Sequence, residues 1–339
     1  MDIEHLDCFR FCKCLKLLGN VMVLLVLGLV GVSYFAVAFA YFGNVQGASS
    51  GTIAGSVFIV GLFTLLVLMV CWSYFATVFS NPGIVPAGWH PFGSDEEAAR
   101  QRDALEAGQV PRLLDAHLRP RFCRKCQAWK PQRAHHCSVS NRCILKMDHY
   151  CIWVVNCVGL LNYKFFLLFL FWTCVASVVG CALLLPEFLL FFTSGAEAEE
   201  KFGSMVALVF VAFIIDLAFT VSLAAFVAMH WNMVSRNQTT IEMYEKAPLT
   251  PWPYDRGVMG NWKEVLGREP LLWLLPFHRN AFKEELLRAA LDPYLAGTAA
   301  PLPTALSAGP QPQETARVPS TAEEDAETQH DDDPHNRLI

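Results

Sequence analysis

Four long apolar stretches, Leu17 to Tyr41, Thr52 to Phe79, Phe165 to Phe192 and Met205 to Trp231, leave this chain few options. Each is long enough to cross the hydrocarbon core of a bilayer as a helix, which takes about 20 residues. In lipid, every backbone N–H and C=O must be satisfied within the segment, so helices are predicted for all four. Charged residues make up 17% of the chain, against about 25% in a soluble domain, which agrees with that reading. The first stretch is too long for a cleavable signal and lacks a small-residue cleavage site, so it is expected to stay. The predicted fold class is a membrane all-α protein with four transmembrane helices.

Lys and Arg set the expected orientation, because cytoplasmic loops carry the positive excess near span ends. There are none between the first two spans and only Lys201 between the last two, but eleven between Ser80 and Tyr163 and ten after Trp231. Both termini and the long central loop are therefore expected to be cytosolic. The chain divides into residues 1–80, with the N-terminus and two spans; 81–163, a cytosolic loop whose Cys-rich part is about 121–163; 164–231, the other two spans; and 232–292, a cytosolic C-terminal region. Residues 293–339 are rich in Ala, Pro, Thr and acids, and are expected to be a disordered tail. Net charge is only −5 with no long basic block, which argues against a nucleic-acid partner.

Within the loop, Asn81-Pro82-Gly83 is expected to end the second span. Ser94 to Glu97 reads as a capping box opening a short surface helix through about Glu106, ended by Gly108 and Pro111. After the spans, Leu271 to Phe277 is apolar but too short to cross, and Phe282 to Leu291 is amphipathic. A resting place at the membrane interface and a small core outside the membrane are equally compatible with these two segments. No internal repeat is evident in the chain.

Six of the twelve cysteines fall between Cys123 and Cys157, interleaved with His135, His136 and His149. Cys123-x-x-Cys126 has the spacing that brings two thiolates onto one tetrahedral zinc, and His136 and Cys143 follow at distances that close a four-ligand site. The loop has no apolar periodicity long enough for its own core, so a metal is expected to supply what is missing. Reduced cytosolic thiols favour zinc over disulfides. Asp148, His149 and Cys151 offer a thiol, a histidine to activate it and a carboxylate to orient that histidine. Spacing alone fits a nucleophile and a zinc ligand equally well at Cys151 and His149.

The runs Arg121-Phe122-Cys123-Arg124-Lys125-Cys126, Lys130-Pro131-Gln132-Arg133-Ala134-His135-His136-Cys137, Cys143 to Cys151 and Asn156-Cys157-Val158-Gly159 resemble the Asp-His-His-Cys (DHHC) protein S-acyltransferases. Three further marks agree: Asn81-Pro82-Gly83, Thr239-Thr240-Ile241-Glu242 and Asn261-Trp262. Together they cover roughly residues 8–280. The resemblance implies a four-helix bundle enclosing an acyl-chain cavity, with the Cys-rich domain beneath it. It makes Cys151 the nucleophile toward acyl-CoA, His149 its base and Asp148 the residue that orients His149, held by Thr240. A ping-pong transfer of a long-chain acyl group, such as palmitoyl, to a cysteine of a membrane-associated substrate protein follows. Lys130, Arg133 and His135 would lie near the CoA phosphates, and Trp153 near the carboxyl end of the chain. Ser33 and Ala176 would leave room at the far end for a chain of about sixteen carbons or more, each CH₂ worth about 0.8 kcal/mol when buried. The organelle stays open among Golgi, endoplasmic reticulum and plasma membrane.

The sequence departs from that family at the second of its two zinc sites, where Cys137, Ser140, Tyr150 and Cys157 stand. Serine and phenol are poor zinc ligands beside thiolate and imidazole, so one zinc per chain is expected. Ile152 replaces the usual proline after the nucleophile and frees a backbone N–H. Two rival functions are a scaffold that has lost catalysis and a transporter, the latter disfavoured because the spans carry only Asp216 and Glu187 as acids. Asp216 is expected to hydrogen-bond to a Ser or Thr of a neighbouring span. Cys71, Cys174 and Cys181 read as small apolar packers, and Cys8, Cys12 and Cys14 as ordinary reduced juxtamembrane thiols, with S-acylation the alternative.

Overall fold

A computed structural model describes residues 13–43, 48–107, 121–193, 203–245 and 251–291. Cys8, Cys12, Gly108, Pro111 and the segment 293–339 lie outside them, as does the side chain of Cys14. Four helices form the membrane part: α1 (Lys13–Phe42), α2 (Ser50–Phe79), α4 (Tyr163–Thr193) and α5 (Val206–Ser235), with α3 (Asp95–Glu106) in the long connection between α2 and α4. All four are long and apolar enough to cross a bilayer, and the chain is a multi-pass membrane protein. Pro186 is tolerated inside α4, because neighbouring groups in a helical bundle can re-satisfy the freed carbonyl. Of the capping box expected at the start of α3, the N-cap half is present, with the Ser94 hydroxyl accepting from Glu97 N–H at 3.3 Å. It is more than a surface helix, because Trp129 donates through Nε1 to its Ala98 carbonyl.

The Cys-rich segment folds into three two-stranded antiparallel hairpins: β1 (Arg121–Cys123) with β2 (Ala128–Lys130), β3 (His135–Cys137) with β4 (Arg142–Ile144), and β5 (His149–Cys151) with β6 (Asn156–Val158). Cys123, Cys137 and Cys151 end the first strands at intervals of fourteen residues. Each loop then has one residue in the left-handed region at the same place: Gln127, Asn141 and Val155, with φ of 49°, 53° and 52°. The expectation of no internal repeat is therefore corrected. The repeat is carried by backbone geometry and by cysteines fourteen residues apart, while the residues between them differ. Val155 is the costly member, since a β-branched side chain rarely adopts positive φ.

The hairpins are fastened to the membrane helices by polar groups at helix ends. The last carbonyls of a helix have no partner within it. Asn156 Nδ2 meets those of Thr77, Val78 and Ser80 at 2.9–3.2 Å, closing the end of α2 from the third hairpin. Asn81 Oδ1 accepts from Gly83 and Ile84 N–H, which turns the chain sharply, with Gly83 at φ 102°. Gly159 sits where a Cβ would be 2.6 Å from Ile144 Cγ2 and 2.7 Å from the Pro82 carbonyl, so only glycine lets these two turns touch. After α5 come α6 (Thr240–Met243), α7 (Val258–Leu266) and α8 (Asn280–Leu291). Asn261 donates to the Ser235 carbonyl and Trp262 to the Ser235 hydroxyl, closing the end of α5 as Asn156 closes α2. Lys164, at the start of α4, donates to the Leu272 and Phe277 carbonyls. Leu286, Leu287 and Leu291 of α8 are buried, whereas Leu271 is 93% exposed. The amphipathic helix thus forms a small core, and the apolar run before it packs Trp273 against the main core while leaving Leu271 and Leu274 exposed.

Candidate active site

The third hairpin delivers Cys151 to the base of the helix bundle. Tyr74 of α2 donates to the Trp153 carbonyl at 2.9 Å, fixing the hairpin loop against the membrane part. Asp148, just before β5, is 2% exposed. Its carboxylate accepts from three donors: Thr240 N–H at 2.8 Å, Thr240 Oγ1 at 2.9 Å and His149 Nδ1 at 2.7 Å. Burial works to raise its pKa, but His149, the nearby His230 and the Thr240 N–H outweigh burial and hold it below the usual carboxylate range. For His149, burial disfavours the imidazolium, yet the hydrogen bonds to Asp148 and Cys151 push its pKa up to about 9. Phe166 of α4 stands edge-on to the His149 ring at 5.0 Å. Asp148, His149 and Cys151 are thus connected in one line, with the carboxylate anchored from a segment about ninety residues away.

A cavity of about 440 Å³ opens from this line into the bundle. Cys151, His149 and Trp153 border one end, and Ser33, Ala176 and Asp216 the other. Between them the walls are mostly apolar, with Val26, Phe169 and Leu223 among the lining residues. Asp216 finds its partner in the first span, accepting from Ser33 Oγ at 2.9 Å.

Cys123 and Cys126 of the first hairpin face His136 and Cys143 of the second, and their four ligand atoms all lie within 4.8 Å of one another. Cys126 Sγ is 3.1 Å from His136 Nδ1 and 3.7 Å from Cys143 Sγ. The latter separation is close to the edge of a tetrahedron with Zn–S arms of about 2.3 Å. The hydrogen bond between Cys143 and Cys123 favours the thiolate at Cys123. These four residues fit a metal ion. One hairpin further on, the same positions hold Cys137, Ser140, Tyr150 and Cys157. Ser140 N–H points to Cys137 Sγ, and Ser140 Oγ lies 3.4 Å from Cys157 Sγ. Only two thiols are left there, hydrogen-bonded to each other, with the Ser140 hydroxyl beside Cys157. At the third repeat Cys151 takes the place of the first ligand, and the fourth residue of the loop is the buried Val154.

Of the predicted phosphate contacts, Lys130 and His135 lie near one another with Arg121 and Arg133. Burial first, then the charges of Arg121, Lys130 and Arg133, lowers the pKa of His135 to about 3. Arg133 is spent differently. Its Nε and Nη2 bind the Glu242 carboxylate at 2.6 and 2.7 Å, while Nη1 and Nη2 reach the side chain and carbonyl of Asn237. Tyr254 stacks over the guanidinium at 4.4 Å. Glu242 in turn accepts from Thr239 N–H, and the Thr239 hydroxyl accepts from Glu242 N–H, a complete capping box. Beside it Lys146 pairs with Glu264 and Asn237. Sequence reading misses these ties, because Arg133 and Glu242 are more than a hundred residues apart. The Thr-Thr-x-Glu run was the only visible signal.

A sequence profile of the DHHC palmitoyltransferase family matches residues 116–247. The chain is 45% identical over 286 residues to "Probable protein S-acyltransferase 14" of Arabidopsis thaliana, covering 83% of this chain and 90% of that protein. It is 34% identical over 283 residues to "Palmitoyltransferase ZDHHC20" of Homo sapiens, covering 78% and 74%.

Arg133 and Glu242 are both nearly sealed from solvent, with side-chain exposures of 10% and 4%. Arg133→Ala leaves a buried carboxylate without its cation, and is expected to cost about 3–5 kcal/mol of stability. Arg133→Lys recovers only part, because one ammonium cannot make the forked contact. Thermal unfolding of the detergent-purified variants reads both effects.

Proposed function

The chain belongs to the DHHC palmitoyltransferase family and is a protein S-acyltransferase, and from that premise we propose that Cys151 carries the acyl group between acyl-CoA and the substrate cysteine. The observation that carries this reading is the line Thr240–Asp148–His149–Cys151 at the mouth of an apolar cavity. Cys151 Sγ attacks the thioester carbonyl of acyl-CoA, and His149 takes the thiol proton. The C–S bond to CoA breaks, the CoA sulfur leaves with a proton from His149, and the acyl group stays on Cys151 as a new thioester. A substrate cysteine then repeats the exchange in the reverse sense. Asp148 keeps Nδ1 of His149 occupied, so that Nε2 is the nitrogen available to sulfur. Thioester exchange is nearly balanced, so the work lies in bringing sulfur and carbonyl together. The acyl chain lies in the cavity with Trp153 near its carboxyl end and Ser33 and Ala176 near its far end. Lys130 and His135 face the CoA phosphates, while Arg133 contributes charge from within its pairing with Glu242.

Cys123, Cys126, His136 and Cys143 hold one zinc, whose role is to clamp the first hairpin to the second. Cys137 and Cys157 offer too few ligands for a second ion. Both termini and the hairpins face the cytosol, as the Lys and Arg distribution supports. Substrates are membrane-associated proteins with a cytosolic cysteine, in Golgi, endoplasmic reticulum or plasma membrane.

Incubated with a labelled fatty acyl-CoA, the purified protein is expected to take up hydroxylamine-sensitive label that is lost in Cys151→Ser. Equal labelling of both would remove the basis of the proposal. Asp148→Asn removes the anion that raises His149 and leaves the burial that lowers it. The alkaline limb of the acylation-rate profile should therefore move to lower pH, from a midpoint near the His149 value of about 9. An unmoved limb would count against Asp148 acting through His149. Metal analysis should give one zinc per chain, falling further in Cys143→Ser, whereas two per chain would contradict the second hairpin's loss.

A further inference from the structure

Asp216 is a buried acid in the middle of α5, unused by the chemistry at Cys151. Its carboxyl accepts from Ser33 Oγ of α1 at 2.9 Å and lies against Gly180 of α4, where an added Cβ would be 2.4 Å from Oδ2. Three spans meet at this point, and the carboxyl fills the space that a side chain at position 180 would take. The same residues end the cavity. Its lining on α1 runs from Val26 to Ser33, on α4 from Phe166 to Ser177, and on α5 from Phe226 back to Asp216 and Ile215. Ten or eleven residues of helix amount to about 15–16 Å of depth. Beyond this level Ala36, Val37, Leu184 and Ala212 are packed with no exposed surface.

Resting on the reading of this cavity as the acyl-chain site, we propose that Asp216, held by Ser33 and accommodated by Gly180, is the residue that sets the upper length of the acyl chain the enzyme accepts. A hydrocarbon tail that reaches this level meets a hydrogen-bonded polar pair. To go further it must separate Asp216 from Ser33 and leave both without partners in an apolar interior. Ser33 and Ala176 alone suggest an open end, but the acid on the facing helix closes it. A chain that reaches this level is hindered by the carboxyl, and chains that stop short of it fit.

The test is competition among myristoyl-, palmitoyl- and stearoyl-CoA for hydroxylamine-sensitive labelling of the full-length protein in lipid nanodiscs. Asp216→Ala is expected to raise the stearoyl-to-palmitoyl ratio by about tenfold, the scale of a hydrophobic pocket gaining room for a methylene or more. Asp216→Asn, of the same size and still able to accept from Ser33, should stay near the wild-type ratio. Gly180→Ala pushes the carboxyl toward the cavity and should favour myristoyl, a shift of opposite sign. Unchanged ratios in Asp216→Ala, or in Gly180→Ala should Asp216→Ala not yield folded protein, overturn the assignment. Label that persists in Cys151→Ser would strike at the nucleophile instead, which keeps the two failures apart.

Discussion

A carboxylate removed from water must be given donors, and the structure is arranged around the donors given to Asp148. Two come from Thr240, in the segment that follows the last span, and one from the adjacent His149. The same three hydrogen bonds therefore orient the histidine and hold the Cys-rich hairpins to the C-terminal region. Arg133 and Glu242 tie the same two segments a few residues away. Neither tie is expendable, because each buried charge is tolerable only while its partner is present.

The membrane constrains the site from the other side. Helix ends need partners for their last carbonyls, and two asparagine amides supply them: Asn156 for α2 and Asn261 for α5. Asn156 lies opposite Cys151 in the third hairpin. Satisfying the end of α2 thus also fixes the Cys151 sulfur at the level where the bundle opens. Tyr74 adds a second tie from within α2 to the loop that follows Cys151.

The hairpins show how one backbone design can serve two purposes. Two loops begin with a cysteine whose Sγ is approached by the N–H three residues on, in the manner of metal knuckles. In the first, a second thiol and two ligands from the next hairpin complete a metal-competent cluster. In the second, Ser140 and Tyr150 replace two of the ligands. The third turns its cysteine toward His149 and the bundle. The metal-competent cluster and Cys151 thus draw on equivalent positions of a repeated turn, distinguished by what faces each sulfur.

Much of this protein is legible in the chain itself. The four spans follow from apolar length, because lipid leaves the backbone no alternative to helix. The short helix after Ser94 follows from local capping, and the metal-competent set from a spacing that a single turn enforces. The motif residues around Cys151 identify the chemistry through the family they resemble. The fourteen-residue repeat shows in sequence only as the spacing of Cys123, Cys137 and Cys151, because the residues three on, Cys126, Ser140 and Val154, share no chemistry. The partners of Arg133, Asp148 and Asp216 were settled only in the folded chain. They join segments about ninety to 180 residues apart, and hydrogen bonds and ion pairs depend on distances that no local pattern encodes. Sequence determined which residues could react and where the chain crosses the membrane. Tertiary structure decided which carboxylate meets which donor, and therefore where the sulfur and the end of the cavity lie.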